Sequence, residues 1–172
     1  MKLQHFILAS LLSFALISCD LNTPPGEHTP FFDVAGFQIL NGDTILLNLR
    51  GDVLDTISVG DTILFLTLAE SISSPLKEKR ITATPERSGN LVWPPAESWS
   101  RVFDIEKSVY DNSEGKFVVN DDIYGFTFVF KYIARYAERN QTLTFTLTNN
   151  DSERFNTTVR TIRTPIRASS GS

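Results

Sequence analysis

The sequence has almost none of the side chains that bind transition metals or form catalytic dyads and triads. Its 172 residues include one cysteine, Cys19, and two histidines, His5 and His28. Zinc sites need several cysteine or histidine ligands, and Ser-His-Asp or Cys-His catalysis needs a histidine beside the nucleophile. Both histidines lie outside residues 31–166, where we expect the folded domain, and no glycine-rich phosphate loop occurs. We therefore predict a protein that is not an enzyme, with no catalytic residue, no metal and no cofactor.

Paired carboxylates are the enzymatic chemistry that this composition leaves open. Asp104 with Glu106 and Asp121 with Asp122 are candidate pairs. Each pair lies beside an expected strand end or turn, where acidic residues are common. Residues 111–115, Asp-Asn-Ser-Glu-Gly, carry oxygen ligands but lack the spacing and the closing glutamate of a calcium-binding loop. We expect an ordinary hairpin turn there.

Basic residues are also scarce, with 16 Lys and Arg against 20 Asp and Glu and a net charge of −4. A nucleic-acid-binding domain would show a basic face, so we expect no nucleic-acid partner. The charge is uneven: residues 20–70 hold eight acids and a single base, whereas residues 131–172 hold seven bases and three acids. This distribution predicts that the first and last strands lie close together and attract each other. A charged binding face is the alternative.

The N-terminus has the organisation of an export signal. Lys2 is followed by an apolar stretch over residues 6–17, which is too short to span a bilayer as a helix. The sequence Leu16-Ile17-Ser18-Cys19 closes this stretch and resembles the lipobox of bacterial lipoproteins. The resemblance implies that residues 1–18 are a signal peptide, and that Cys19 carries fatty acyl chains such as palmitate. A plain signal peptide ending by chance at a cysteine is the alternative.

The lipoprotein resemblance also implies a location. An acylated Cys19 would anchor the chain to a membrane in the cell envelope of a Gram-negative-type bacterium, and we expect the outer membrane. Residues 19–30 contain three prolines and a glycine, so we expect a flexible tether behind the lipidated cysteine. The folded domain is predicted over residues 31–166, and residues 167–172 are predicted to be a disordered tail.

Alternation of apolar and polar residues gives the clearest fold signal. Phe126, Phe128, Phe130, Tyr132, Ala134 and Tyr136 fall on one face of an extended strand, and residues 142–148 alternate Thr with Leu or Phe. Residues 62–68 form a continuous apolar run, which is typical of a strand buried on both faces. Residues 74–78 are predicted to form either a short helix or, with residues 80–84, an edge strand.

These patterns predict an all-β protein. About eight short strands are separated by turns, there is at most one short helix, and the crossover helices of a parallel sheet are missing. We predict an antiparallel β-sandwich, with an immunoglobulin-like topology as one option and a barrel or a transthyretin-like sandwich as the alternatives. Phe128 and Phe145 are expected in its core.

The two tryptophans, Trp93 and Trp99, are candidate binding residues. They lie within seven residues of each other, and two prolines between them stiffen the backbone. Tryptophan faces suit sugar rings and apolar patches of a protein partner. The alternative is that they cap the sandwich core; in that case Trp99 is the core residue and Trp93 the exposed one.

The triplet Asp-Thr-Ile occurs three times, with its threonine at Thr44, Thr56 and Thr62. Asp-Thr followed by an aliphatic residue is similar to an O-glycosylation site on exported proteins of some Gram-negative bacteria. The alternative is structural, because Asp-Thr favours turns and strand starts.

Taken together, the sequence predicts a lipid-anchored envelope protein that binds a glycan or a protein partner, or serves as an accessory to an envelope complex. A small glycan-active enzyme that uses carboxylates is the alternative from another class. A purely structural surface lipoprotein is the third.

Overall fold

The computed structural model describes residues 28–40, 43–151 and 156–169, and every structural statement below refers to these residues. They form strands and turns, with two single-turn 3₁₀ helices at Glu86–Ser88 and Ala96–Ser98. The fourteen strands are β1 (Phe31–Leu40), β2 (Asp43–Leu46), β3 (Leu49–Arg50), β4 (Val53–Leu54), β5 (Ile57–Ser58), β6 (Thr62–Glu70), β7 (Leu76–Thr84), β8 (Gly89–Val92), β9 (Phe103–Tyr110), β10 (Glu114–Val119), β11 (Gly125–Ala134), β12 (Thr142–Asn149), β13 (Thr157–Arg163) and β14 (Ile166–Arg167).

The strands form two facing sheets, which confirms the predicted all-β sandwich. Sheet A has the order β2-β1-β6-β11-β8, and sheet B has the order β3-β4-β13-β12-β7-β10-β9. Pairing is antiparallel throughout except between β13 and β4, and a small third sheet joins β14 to β5 in parallel. The described chain has fourteen strands where about eight were predicted, mainly because turns divide residues 43–58 into four short strands.

Strand β7 corrects the expectation of a helix or an edge strand. It runs through the interior of sheet B, with β12 on one side and β10 on the other. Most of its polar residues lie on the outer face of the sheet, where Glu78 pairs with Lys116 of β10 at 3.3 Å. Ile81 and Ala83 alternate with them and are buried. Lys79 is the exception among the polar residues and points inward.

The core between the sheets is built from aromatic rings. Phe126, Phe128, Phe130, Tyr132 and Ala134 are all buried, as their alternation predicted. Phe130 stacks on Phe65 of the same sheet with centroids 5.2 Å apart, and meets Phe145 of sheet B at 6.2 Å. The predicted burial of Phe128 and Phe145 is confirmed. Tyr136 departs from the pattern: β11 ends at Ala134, and the Tyr136 side chain is 63% exposed.

Strand β6 corrects a second expectation. Its inward residues, such as Ile63 and Phe65, are fully buried, but Leu66 on the opposite face is 38% exposed. The strand formed by this apolar run therefore has one buried face and one face that is in contact with solvent.

The predicted attraction between early and late strands is seen at one arginine. Arg160 of β13 pairs with Asp33 of β1 at 3.0 Å and with Asp52 at 3.1 Å. Because β1 belongs to sheet A and β13 to sheet B, this late arginine connects the two sheets through early acidic residues.

One lysine lies in the middle of the aromatic core. Lys79 of β7 is fully buried, and its Nζ lies 5.2 to 5.4 Å from the ring centroids of Phe32, Phe126 and Phe128. It donates to the Thr67 hydroxyl, which donates to the carbonyl of Phe128 at 2.9 Å. No carboxylate of the described residues pairs with it, and burial lowers the Lys79 pKa well below its usual value.

The sandwich has two ends that differ in their relation to the N-terminus. The described chain begins at His28 and enters β1 at the end where Phe31 pairs with Glu70, which we call the entry end. At the opposite end, the far end, lie Thr62, Ala134 and Arg163. A nine-residue strand such as β6 is about 30 Å long, and this length separates the two ends.

The predicted segment boundaries are only partly covered by the described residues. The signal peptide (1–18), Cys19 and most of the tether (19–30) lie outside them. Residues 28–30 are in contact with the domain: Pro30 is buried, and its carbonyl accepts a hydrogen bond from Thr158 at 2.5 Å. At the C-terminus Arg167, expected in the tail, belongs to β14, while residues 170–172 are outside the described part.

Candidate ligand-binding groove

A groove lies at the far end of the sandwich. Its floor is the short strand β14, which bonds to a neighbour on each side. Ile57 N of β5 donates to the carbonyl of Pro165 at 3.0 Å, and Glu138 exchanges two hydrogen bonds with Ile166 at 2.9 and 2.8 Å. Ile166 is buried, so this floor is fixed to the domain core.

The groove has two adjoining lobes. The larger has a volume of about 850 Å³ and lies between Thr56 on one side and residues 137–140 on the other, with residues 163–168 between them. The smaller, about 370 Å³, adds Arg87, Ser88 and Tyr136. Ala137 and Glu138 line both lobes, so the two lie side by side.

Arginines dominate the charge of this groove. Arg139, Arg163 and Arg167 line the larger lobe, and Arg87 lines the smaller. All four side chains are exposed, and none forms an ion pair with a described residue. Glu138 is the one carboxylate of the lining, so four positive charges face one negative charge in a chain whose overall charge is −4.

Hydrogen bonds hold some of these groups in place. Arg167 Nε donates to the hydroxyl of Ser58 at 3.1 Å, and Glu138 Oε1 accepts from the backbone N–H of Asn140 at 3.0 Å. The backbone N–H groups of Arg135 and Tyr136 both donate to the Ser88 carbonyl, at 2.8 and 3.1 Å. These bonds fix the backbone from which the exposed Tyr136 side chain projects.

One residue that lines the smaller lobe, Ser88, carries an unsatisfied polar group. Its hydroxyl is buried and has no hydrogen-bond partner among the described residues. A buried hydroxyl without a partner costs free energy.

The chemistry of the lining suits recognition of an anion. A guanidinium presents a planar fork of donors that matches a carboxylate or a phosphate, and the bond is stronger than one between neutral groups. The Tyr136 ring adds an apolar face with a polar tip. The described lining offers a single carboxylate and no cysteine or histidine.

The predicted tryptophan site is located elsewhere, at the edge where the chain crosses from β8 to β9. Trp99 is buried, as expected of the core residue of the pair. Trp93 was expected to be exposed, but it is partly buried and packs against Phe117, Phe128 and Phe130 at 5.0, 6.4 and 5.4 Å.

Hydrogen bonds hold both indoles against the domain. Trp93 Nε1 donates to the Asp111 carbonyl at 2.6 Å, and Trp99 Nε1 donates to the Pro94 carbonyl at 3.1 Å. Gly115 permits this packing, because a Cβ at that position would lie 2.8 Å from the Trp93 ring. Binding by these two residues remains a hypothesis, and their contacts match the alternative in which they cap the core.

The three candidate glycosylation sites are spread over the far end. Thr44 on β2 and Thr56 beside the groove are exposed, whereas Thr62 is partly buried. The aspartates before them have structural contacts: Asp55 accepts from Asn48 N at 3.0 Å, and Asp61 accepts from Ser58 N at 2.8 Å. Glycosylation itself remains a prediction.

The candidate carboxylates lie outside the groove, and Asp121 and Asp122 line a separate depression of about 550 Å³ together with Lys77. Asp104 is paired with Lys107 at 2.7 Å; the side-chain hydrogen bond from that lysine is the main cause that lowers the Asp104 pKa, while Glu106 is exposed. Asp121 and Asp122 lie in an exposed turn.

The loop once weighed as a calcium site is a hairpin turn. Asp111 Oδ1 accepts from the backbone N–H groups of Ser113 and Glu114 at 2.7 and 2.9 Å, and these bonds lower the Asp111 pKa. Within the described ranges, no three His, Cys, Asp or Glu side chains come together as a metal site. The described residues also contain no helix that is long and apolar enough to cross a membrane.

Sequence reasoning missed the groove, although one signal pointed toward it. The alternative explanation of the basic C-terminal segment was a charged binding face. Arg160 satisfies the structural explanation, but Arg139, Arg163 and Arg167 of the same segment line the groove instead.

Comparisons with known proteins give similarity in fold only. No family model matches the chain, and no curated protein sequence matches it significantly. A DUF4466 family protein from Parabacteroides merdae superimposes with a TM-score of 0.47 at 9% identity, over 78% of this chain and 43% of that protein. A chain of a dockerin–cohesin complex aligns with a TM-score of 0.37 at 12% identity, over 65% of this chain and 96% of its own length.

Proposed function

We propose that this protein is a lipid-anchored, non-enzymatic binding module of the bacterial cell envelope, and that its far-end groove binds an acidic saccharide. The observation that carries the proposal is the convergence of four exposed arginines, Arg87, Arg139, Arg163 and Arg167, on one groove with a single carboxylate. Four guanidinium groups close to one another repel each other, and a bound anion would offset that repulsion.

The position of the groove supports the proposed anchoring. The lipid attachment point would be Cys19, nine positions before His28, where the described chain begins at the entry end. The groove lies at the opposite end, about 30 Å further along the strands. A chain held to the membrane by its N-terminus would therefore present the groove away from the membrane surface.

The mixed lining favours a sugar over a simple ion. The hydroxyl of Thr56 and the amide of Asn140 complement sugar hydroxyls, and the Tyr136 ring offers a face for a pyranose. The volume of the larger lobe, about 850 Å³, lies in the range of small-molecule sites, roughly 300 to 1,000 Å³. The arginines then select saccharides that carry carboxylate, sulfate or phosphate groups.

The alternative of a carboxylate-dependent enzyme receives no support from the groove. Glycosidases place two carboxyl groups on either side of the scissile bond, about 5 to 9.5 Å apart. Glu138 is the one carboxylate that lines the groove in the described structure, and the candidate pairs 104/106 and 121/122 do not line it.

A glycan array tests the proposal, followed by calorimetry with uronate-containing and neutral oligosaccharides of equal length. We expect the acidic series alone to bind, and Arg163→Gln to weaken binding at least 10-fold, because one charge-assisted hydrogen bond contributes about 1.5 to 3 kcal/mol. Arg101→Gln is the matched control, since Arg101 is an exposed arginine outside the groove. Equal binding of neutral and acidic oligosaccharides would refute the charge-based selection, and no binding at all would favour a purely structural lipoprotein.

The anchor requires a separate test. Labelled palmitate should enter the wild-type protein and not the Cys19→Ser variant, and only the wild type should fractionate with membranes. Equal labelling of the two proteins would show that Cys19 is not the acylated residue.

A further inference from the structure

Strand β11 is paired on one side along almost its whole length, but only in part on the other side. It pairs with β6 from Gly125 to Ile133, whereas β8 covers only Lys131 to Ala134. Residues 125–130 of β11 are therefore an edge of sheet A, which we call the open edge. It lies beside the segment that connects β8 to β9, and its residues do not line the far-end groove.

Alternation along the strand determines which backbone groups point toward the open edge. In an antiparallel sheet, successive residues direct their N–H and C=O groups to opposite sides of the strand. Ala134 N donates to a carbonyl beside β6 at 2.9 Å, and Arg135 N donates on the other side, to the Ser88 carbonyl, at 2.8 Å. The odd-numbered residues of β11 therefore face away from β6. Among them, Thr127 and Val129 lie beyond the end of β8, and no described residue bonds to their backbone groups on that side.

Two prolines follow β8 and leave the open edge uncovered. If β8 continued for two residues past Val92, its register would set Pro94 opposite Val129. Proline has no N–H to donate, and the Pro94 carbonyl accepts a hydrogen bond from Trp99 Nε1 at 3.1 Å. The chain then leaves the sheet through the second 3₁₀ helix. The fold therefore stops its own strand at the point where Val129 still has a donor and an acceptor to offer.

An apolar depression lies along the open edge. It has a volume of about 220 Å³ and is enclosed by residues 127–129 of β11 and by residues of the segment 94–103. Its walls include three buried aromatic side chains, those of Trp99, Phe103 and Phe128. Small-molecule sites have volumes of roughly 300 to 1,000 Å³, so this depression has the size for one apolar side chain rather than for a whole ligand.

We propose that the open edge of β11 binds an extended peptide segment of another protein by strand addition. The N–H and C=O groups of Thr127 and Val129 pair with the peptide backbone, and one apolar side chain of the peptide enters the depression. In this mode of recognition the main-chain bonds give affinity and the pocket gives specificity. Peptide side chains that point away from the depression lie beside those of Thr127 and Val129, so the segment that fits is uncharged and rich in β-branched residues.

The other edges of the two sheets are less suited to strand addition. At the edges of sheet B, β3 is only two residues long, and the pairing of β9 with β10 is interrupted by a register shift. Short edge strands and bulges are devices that protect a sheet from pairing with another chain. At the other edge of sheet A, all four residues of β2 are exposed, so β2 has no buried side to select a partner's side chain.

Amide hydrogen exchange followed by NMR, on the full-length protein in detergent, tests the proposal. Without peptide, the Thr127 and Val129 amides should exchange about 10-fold faster than those of Phe128 and Phe130, which face β6. A capped peptide of alternating threonine and valine, at millimolar concentration, should shift the Thr127 and Val129 amide resonances and slow their exchange about 10-fold. Equal protection of all four amides without peptide, or no change on adding it, would overturn the proposal. Protection that grows with protein concentration alone would also overturn it, because the edge would then bind a second copy.

Two controls separate strand addition from non-specific apolar contact. The same peptide with all its backbone amides N-methylated keeps its side chains and loses its donors, so it should bind about 10-fold more weakly. Val129→Pro removes a donor that no described residue uses and should weaken binding of the unmodified peptide about 10-fold, whereas Val129→Thr keeps the donor and should bind it normally.

Equal binding of the two peptides would overturn strand addition, and this comparison decides the question even where Val129→Pro does not fold. Arg163→Gln should bind the peptide as the wild type does, because Arg163 lies in the groove and not at the open edge. The result is therefore independent of saccharide binding.

Discussion

The two faces of sheet A are built by the same strands and have opposite environments. On β6, Phe65 is fully buried and its neighbour Leu66 is 38% exposed; on β11, Phe128 is 3% exposed and its neighbour Val129 is 38% exposed. Both faces are apolar, so hydropathy does not separate them. What separates them is the share of aromatic rings, which is high on the face toward sheet B, whereas aliphatic groups predominate on the outer face.

The comparison predicts where truncation costs most. Phe145→Ala should lower the free energy of unfolding by about 3 to 5 kcal/mol, because it removes a buried ring that contacts Phe32, Phe65 and Phe130. Phe128→Ala should behave similarly. Denaturant unfolding measures the loss, and a change below about 1 kcal/mol in both variants would mean that the inner face is not the principal core.

Trp93 tests how far the inner core extends toward the edge of the sandwich. Trp93→Ala should cost about 3 kcal/mol, since the indole packs on three phenylalanine rings and bonds to the Asp111 carbonyl. Trp93→Phe should recover part of that loss. An unchanged melting temperature in the alanine variant would instead return Trp93 to the role of an exposed binding residue.

Lys79 is a basic residue on the otherwise largely apolar inner face of the sandwich. Through this residue, the free energy of unfolding should depend on pH. Burial lowers its pKa in the folded state, so between that pKa and the normal lysine pKa the unfolded chain binds one proton more. This contribution makes the wild type more stable as the pH rises toward about 10.4. Lys79→Met should therefore stabilise the fold at pH 7, on the order of 2 kcal/mol.

The advantage of Lys79→Met should shrink as the pH approaches and passes about 10.4, where the lysine is neutral in both states. Chemical denaturation of both proteins at pH 7 and at pH 10 measures this. Lys77→Met is the control, because Lys77 is exposed on the same strand. An advantage that does not change with pH would indicate a packing effect rather than titration of Lys79.

The outer face should give the smallest effect on unfolding within one chain. Leu66→Ser removes a side chain that is already 38% exposed, so we expect a loss below about 1 kcal/mol in denaturant unfolding. A loss of several kcal/mol would mean that the face is covered within the chain itself.

The sequence was sufficient for the elements whose pattern is local. Alternation over residues 126–134 and 142–148 correctly placed two central strands and their buried faces, because a strand repeats every two residues. Strand β7 was uncertain because Lys79 points inward while charged residues on its outer face resembled an edge. Trp93 was wrongly predicted to be exposed, because the sequence of a proline-rich loop does not indicate which distant aromatic rings the loop packs against.

The groove was beyond sequence reasoning for a different reason. Its lining comes from Thr56, residues 87–88, residues 136–140 and residues 163–168, which are far apart in the chain. They meet only because β14 lies between β5 and Glu138. No local sequence pattern predicts a parallel pair of two-residue strands. The excess of basic residues near the C-terminus was therefore the one sequence signal for the groove.

The pairing of early and late strands has a consequence for biosynthesis. Strand β4 pairs with β13, and β5 pairs with β14, so over 100 residues of intervening chain must be present before either pair can close. Contacts between such distant segments slow folding and postpone it to the final stage of translation. Sheet B in particular stays divided during elongation, because β12 and β13, which join β7 to β4, are made last.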